Sequence, residues 1–203
     1  MLNKNREKPT FKYILFYKPD GVISQFSVHE SYQTLSEFIP IKDVYPAGRL
    51  DTDSEGLLLL TNDGNLSHRL TDPRRHCAKV YYVQVEGQIT QAAINLLERG
   101  VMVKGYRTLP CRAEQINNPL LPKRRKEITP HASTSWLRIT LFEGKKRQIR
   151  HMTAAIGFPT LRLVRTAIGP LNLNGLNPGE WRFLTISEVK LLKTILLLNS
   201  AAL

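Results

Sequence analysis

Asp51 is the residue whose surroundings most suggest chemistry. It lies in Tyr45-Pro46-Ala47-Gly48-Arg49-Leu50-Asp51-Thr52-Asp53-Ser54-Glu55-Gly56, which runs on through four leucines to Thr61-Asn62-Asp63. Four acids are gathered in this stretch, in a 203-residue chain with only 17 Asp and Glu against 29 Lys and Arg. An arginine beside a carboxylate lowers its pKa by about 1 to 3 units, which keeps it ionised and available as a nucleophile. An aspartate at a strand end also serves commonly as a turn or cap residue, and spacing alone does not separate the two roles. Asp53 and Glu55 are expected to hold the loop by hydrogen bonds to nearby backbone. A further reading takes Asp51, Asp53 and Glu55 together as the metal ligands of a nuclease.

The cations are clustered as strongly as the acids. Between Lys145 and Pro170 stand six Lys or Arg and no acid, namely Lys145, Lys146, Arg147, Arg150, Arg162 and Arg165. Arg69, Arg74, Arg75 and Lys79 form a second group, and Lys123-Arg124-Arg125-Lys126 a third. The formal net charge is +12 and the pI about 9.9. Such a surface predicts a polyanionic partner, nucleic acid foremost, bound with an affinity that falls steeply as salt is added. Charge that only keeps the chain soluble is the plainer alternative.

The elements that must position these groups are read from periodicity. Phe11 to Tyr17 predicts a strand that stops at the turn Lys18-Pro19-Asp20-Gly21. Thr34 to Ile39 predicts a short capped helix ended by Pro40. Leu57 to Thr61 is a continuous apolar run before a turn, so it predicts a strand buried on both faces that anchors the Asp51 loop. Asn65 to Thr71 reads as a short helix. In Ala78 to Gly87, alternation puts Lys79, Tyr81, Val83 and Val85 on one face, with Tyr81 pointing inward. Thr90 to Arg99 predicts a helix stopped by Gly100. Val101 to Val103, Arg112 to Ile116 and Trp136 to Phe142 read as strands, and Lys145 to Ile156 as a helix with Ile149 and Met152 on its apolar stripe. Leu161 to Arg165 predicts a strand with its arginines on one side, Trp181 to Thr185 a closing strand, and Ser187 caps a last helix. Between Asn117 and Ser135 a segment with three prolines is equally readable as a solvated loop or a phosphate-contacting arm. The fold class is α+β, with a large mixed, mostly antiparallel sheet, helices outside it and two lobes about a central cleft.

Three segments, in order, carry a resemblance. Gly48-Arg49-Leu50-Asp51, continuing to Gly64, is similar to the active-site motif of pseudouridine synthases, in the branch acting on ribosomal RNA and typified by the small-subunit uridine modifier. Lys79-Val80-Tyr81 resembles that family's second motif. Gly144 to Met152, with Leu163-Val164-Arg165 and Gly179 to Leu184, resembles its third motif and C-terminal strand. The resemblance spans about residues 11 to 188 and implies isomerisation of a uridine to pseudouridine in 23S ribosomal RNA, without metal or cofactor. It implies Asp51 as the nucleophile on uracil C6 or ribose C1′, Tyr81 stacked on the flipped base, and Arg150 paired with Asp51. Arg49 would fill the gap left in the RNA stack and Ile149 or Leu163 would pad the pocket. Arg165, Lys79, Arg147, Arg74 and Arg75 would contact RNA. A core tyrosine and one more phosphate-binding arginine are the plainer readings of Tyr81 and Arg150, and a non-catalytic RNA-binding or ribosome-assembly protein is the alternative for the whole.

Residues 1–10 are expected to be a flexible lead-in, 11–190 the catalytic domain and 191–203 a C-terminal helix and tail. Because the first strand begins at Phe11, the N-terminal RNA-binding module of many relatives is expected to be missing, as in the shorter large-subunit enzymes. Met1 to Lys8 is polar and charged, and no apolar run approaches the roughly 18 residues of a membrane span, so a cytosolic protein is expected. Cys77 and Cys111 form neither a disulfide framework nor a short-spaced metal pair. A monomer is expected.

Overall fold

Four consecutive leucines decide the centre of the molecule. A computed structural model describes residues 10–198, and in it every residue of Glu55–Thr61 is buried. Successive side chains of a strand point to opposite faces. Leu57 and Leu59 therefore enter one apolar cluster with Leu15, Leu70 and Leu192, while Leu58 and Leu60 enter another with Ile14, Phe16 and Leu35. Each fully buried leucine contributes on the order of 1.5–3 kcal/mol of transfer free energy. The strand is thus held from both sides, as its sequence predicts.

The main strands are β1 (Tyr13–Lys18), β2 (Glu55–Thr61), β3 (Lys79–Glu86), β4 (Arg112–Ile116), β5 (Thr134–Leu141), β6 (Thr160–Ile168) and β7 (Trp181–Phe183). They lie in the order β7-β1-β2-β6-β3-β5-β4, with two-residue strands at Tyr45–Pro46 and Leu171–Asn172 joined to β2 and β6. Every pairing along this path is antiparallel except one. β2 and β6 run parallel and meet through only two pairs, Val164 with Glu55 and Arg165 with Gly56. Helices α1 (Gly64–Thr71), α2 (Gln91–Glu98), α3 (Gln148–Ala155) and α4 (Ile186–Leu198) cover the sheet. The result is the expected α+β fold, two antiparallel lobes with a cleft along the parallel seam.

Gly56 is what lets the seam close. Its φ is +108°, and a Cβ placed there would lie 2.2 Å from the Arg165 carbonyl oxygen, so only glycine fits this close backbone approach. On β3, alternation is borne out: Tyr81, Val83 and Val85 are buried. They pack with α2 and α3 residues such as Leu97 and Met152.

Several local expectations change. Thr34 to Ile39 forms only a 3-10 turn, Leu35–Glu37, although its capping box is complete. α4 begins one residue before Ser187, and its cap is Thr185, whose hydroxyl accepts from Glu188 N while the Glu188 carboxylate accepts from Thr185 N. α4 packs into the core through Leu192 and Leu196. The lead-in expected over residues 1–10 lies, but for Thr10, outside the described residues. No helix among them is long and apolar enough to cross a membrane.

Candidate active site

The loop bearing Asp51 is fastened by its backbone, which leaves the carboxylate unused. Ser54 N donates to Asp51 O at 3.0 Å, closing a turn. Ser24 Oγ bonds both Leu50 O (2.8 Å) and Leu50 N (3.1 Å). Gly21 N donates to Thr52 O at 2.9 Å. The Asp51 carboxylate makes no side-chain hydrogen bond among the described residues and lines two cavities. It is not serving as the turn or cap group that its place at a strand end could have made it.

Lys18, which the sequence offers only as part of a turn, is fully buried behind this loop. Its Nζ donates to Pro19 O (2.9 Å), Val22 O (2.6 Å) and Thr52 O (3.4 Å). Burial pulls the ammonium pKa down to about 8, opposed by the charges of Asp20, Glu55, Asp53 and Asp51. A lysine in a strand of aromatic residues, ahead of Pro-Asp-Gly, was the only available signal.

Arg150 departs from its expected partner. Its Nη2 lies 3.2 Å from Asp53 Oδ2 and donates to Asp53 O at 2.9 Å, while Nη1 donates to Thr160 O at 3.2 Å. Arg147 donates Nη1 and Nη2 to the two Asp53 oxygens, both at 3.0 Å. Arg147 has φ +54° and opens α3, so it and Arg150 sit one turn apart on one helix face and converge on one carboxylate. Burial disfavours the Asp53 anion, but the Arg147 bonds and the charges of Arg150 and Arg147 outweigh it and hold the carboxyl below its usual range. Asp51 acts on Arg150 through space, by charge alone.

Asp53 and Glu55 therefore hold the loop mainly through arginines, and not mainly, as expected, through backbone amides. Buried Glu55 takes Arg162 in a fork, Nε to Oε1 at 2.9 Å and Nη2 to Oε2 at 2.8 Å, with Arg124 Nε 3.5 Å away. Arg124 also pairs with Asp20, and Arg125 with Gln33. The proline-containing segment is thus neither a free loop nor wholly a phosphate arm: Arg124 turns inward to tie it across the cleft, and Arg125 fastens it to Gln33 at the surface. Because arginines claim Asp53 and Glu55, the three acids of the nuclease reading do not converge on a common point, and no group of three possible metal ligands occurs among the described residues.

The first cavity, of about 360 Å³, opens between Asp51 and β3 and β6. Tyr81 (8% exposed), Ile149 and Leu163 give it an aromatic and aliphatic wall. Arg165 is buried in the same wall, its Nε donating to Leu57 O at 2.8 Å and its Nη2 without a hydrogen-bond partner among the described residues. Arg162 faces Glu55 instead, so the expectation that the arginines of this strand share one side is overturned: residues three apart in a strand point to opposite faces. Lys79 also lines the cavity, with Nζ on Cys77 O at 3.1 Å and a pKa lowered by burial. Arg49 is exposed at the rim, and Arg147 lines both cavities. Arg74 and Arg75 lie outside the wall that Pro73 reaches. Arg74 Nε is 3.0 Å from Asp72, and Arg75 Nε 4.0 Å. The basic run after Lys145 is therefore not one continuous row of free cations: Arg150 and Arg162 are paired and largely buried, Arg165 is buried in the cavity wall, Lys145 sits 3.4 Å from the centre of the Tyr106 ring, and Arg147, though paired with Asp53, stays partly exposed beside Lys146 along both cavities.

An unencumbered carboxylate, a tyrosine face, aliphatic padding and a basic rim define a site for a nucleobase taken out of its stack. The chain belongs to the RNA pseudouridylate synthase family, whose pattern matches residues 12–155, and it is an RNA pseudouridine synthase. It is 50% identical over 177 residues, 86% of this chain and 76% of the relative, to Ribosomal large subunit pseudouridine synthase E of Vibrio vulnificus. It is 38% identical over 197 residues, 96% of this chain and 75% of the relative, to Ribosomal large subunit pseudouridine synthase B of Bacillus subtilis. A crystal structure of a pseudouridylate synthase superposes with a TM-score of 0.77 at 30% identity, covering 90% of this chain and 74% of that one.

Proposed function

We propose that this protein converts a specific uridine of 23S ribosomal RNA to pseudouridine, with Asp51 as the nucleophile. The observation that carries the reading is that the Asp51 carboxylate, alone among the acids of its loop, is claimed by no arginine and faces a cavity walled by Tyr81, Ile149 and Leu163. The flipped base lies against Tyr81, and Arg49 at the rim takes the space it vacates; together they offset the few kcal/mol that unstacking costs. Asp51 either adds to uracil C6, with the C5–C6 π electron pair passing onto the C4 carbonyl oxygen, or attacks ribose C1′. In the second route the C1′–N1 bond breaks, and its electron pair passes to the uracil ring. The ring turns, C5 bonds to C1′, the carboxylate departs, and the C5 proton is lost as N1 gains one. Tyr81 stands at the ring face for the C5 step.

Arg150 contributes by holding Asp53, and with it the loop, and by adding positive charge near Asp51. Lys79, Arg147, Arg165 and, outside the cavity, Arg74 and Arg75 contact the RNA. We propose that the enzyme is a monomer that acts in the cytoplasm and uses no metal or cofactor. Mapping pseudouridines in ribosomal RNA from cells with and without the protein identifies the position. Asp51→Asn and Asp51→Ala are expected to abolish product while leaving RNA affinity intact. Comparable turnover by Asp51→Asn would sink the assignment.

A further inference from the structure

The catalytic loop has a second side. Opposite the Tyr81 wall lies a larger hollow of about 720 Å³, and the two cavities share Arg49, Leu50, Asp51, Lys146 and Arg147. Uridine isomerisation makes no use of its far end, where Ile23, Tyr32 and Lys126 stand. That end is built as part of the catalytic loop. Ser24 bonds Leu50 directly, and Val22–Ile23 pairs with Gln33–Thr34, so the segment carrying Tyr32 is closed at its base. Tyr32 is 50% exposed, with the His29 ring 5.3 Å from its own.

The charge of the hollow is unevenly spent. Asp20 is paired with Arg124, and Asp53 with Arg147 and Arg150. Lys126 and Lys146 have no acidic partner among the described residues, and Glu127 is the only acid of the wall besides Asp51 that no cation holds. What remains available is an open aromatic face and two ammonium groups. Those are the two parts from which single-stranded nucleic-acid sites are made, a platform for a base and a cation for its phosphate.

We infer that this hollow is a second subsite, which takes the nucleotide directly adjoining the target uridine, its base on Tyr32 and its phosphate between Lys126 and Lys146. The inference rests on the RNA reading above. A uridine drawn into the first cavity loses its stacking with that neighbour, and the strand joining them must pass the shared wall of Arg49, Asp51 and Arg147. The subsite gives the freed neighbour a new face to stack on and lets the enzyme sense what lies beside the uridine.

The test uses a 23S ribosomal RNA fragment containing the mapped uridine, intact or with an abasic residue on its 5′ or its 3′ side. With wild-type protein, one of the two abasic RNAs is expected to show a KM about tenfold higher. Tyr32→Ala is expected to raise KM for intact RNA about as much and to be insensitive to that abasic residue, whereas Tyr32→Phe behaves as wild type. Lys126→Ala should lower the slope of log affinity against log salt by about one. An abasic penalty that persists undiminished in Tyr32→Ala, or wild-type KM for that variant on intact RNA, overturns the subsite. If wild-type protein makes no pseudouridine in any ribosomal RNA, the proposed function fails instead. Equilibrium binding of the same RNAs by wild type and Tyr32→Ala then still decides whether Tyr32 holds a base.

Discussion

Arg147 and Asp53 face each other through two parallel hydrogen bonds of 3.0 Å, which bind the first turn of α3 to the loop two residues past Asp51. The pair is a latch between the lobes, because Asp53 precedes β2 on one side of the seam and Arg147 follows β5 on the other. Asp53→Asn should loosen the latch. The Asp53 side chain is 41% exposed, so the static cost is ~1 kcal/mol, about 2–4 °C in Tm. Turnover should fall further, by about 10–100-fold, since a small displacement of a positioned group is costly to the rate. Thermal unfolding and single-turnover kinetics check the two separately; unchanged turnover would show that the latch does not set Asp51.

The seam makes a second prediction. In Gly56→Ala the new Cβ would sit 2.2 Å from Arg165 O, at a φ of +108°. Neither the backbone of β6 nor the dihedral can yield cheaply, so the loss is expected to be ~3 kcal/mol or more. Differential scanning calorimetry should show Tm lower by about 6 °C or more. A variant as stable as wild type would mean that the strands part without cost.

Tyr81 can be divided into its ring and its hydroxyl. Tyr81→Leu removes the face on which the base rests and should weaken productive binding by ~1–3 kcal/mol. Tyr81→Phe keeps the face and should keep affinity. Its turnover reports on the hydroxyl: a large fall with unchanged affinity places the hydroxyl in the C5 proton step, and wild-type turnover removes it from that step.

Glu188 provides a pH signature. Hydrogen bonds from Arg182, at 2.8 and 2.7 Å, lead the causes that bring its pKa down to about 2, against an ordinary 4.5. A carboxyl depressed in the folded state binds fewer protons there than in the unfolded chain, so its contribution to stability is full above about 4.5 and is lost as pH falls toward about 2. Wild type should therefore be more stable than Glu188→Gln at neutral pH, and the difference should shrink across that window. Denaturant unfolding at several pH values measures it; a pH-independent difference would locate the effect in the helix cap alone.

Much of the frame is legible in the sequence because periodicity reports burial. The leucine run, the alternation around Tyr81 and the ordered motifs placed Asp51, Tyr81, Ile149 and Leu163 around one cavity. What periodicity does not report is which residue stands opposite across a cleft. Arg150 joined Arg147 on Asp53 because a left-handed residue opens α3 and sets both on one face. Arg124 meets Asp20 across 104 residues, and Lys18, besides its bonds to the nearby Pro19 and Val22 carbonyls, reaches Thr52 O 34 residues away. Such pairings are chosen by the tertiary fold, and the local chain carries no mark of them. Arg162 and Arg165 are a different case: a period of two places residues three apart on opposite sides, so the expected placement of both arginines on one side runs against a signal that the sequence does carry.

The parallel seam also has a consequence for how the enzyme comes into being. Glu55 and its Arg162 partner are 107 residues apart, and the β2–β6 contact is among the most distant in the chain. A polypeptide still emerging from the ribosome can pair β1 with β2 early, but it holds Asp51 over an unfinished cavity until β6 has left the exit tunnel and docked, since long-range pairing waits on closure of the whole intervening loop. Catalytic competence consequently waits on β6, and any prematurely terminated product lacking β6 carries the nucleophile without the enzyme.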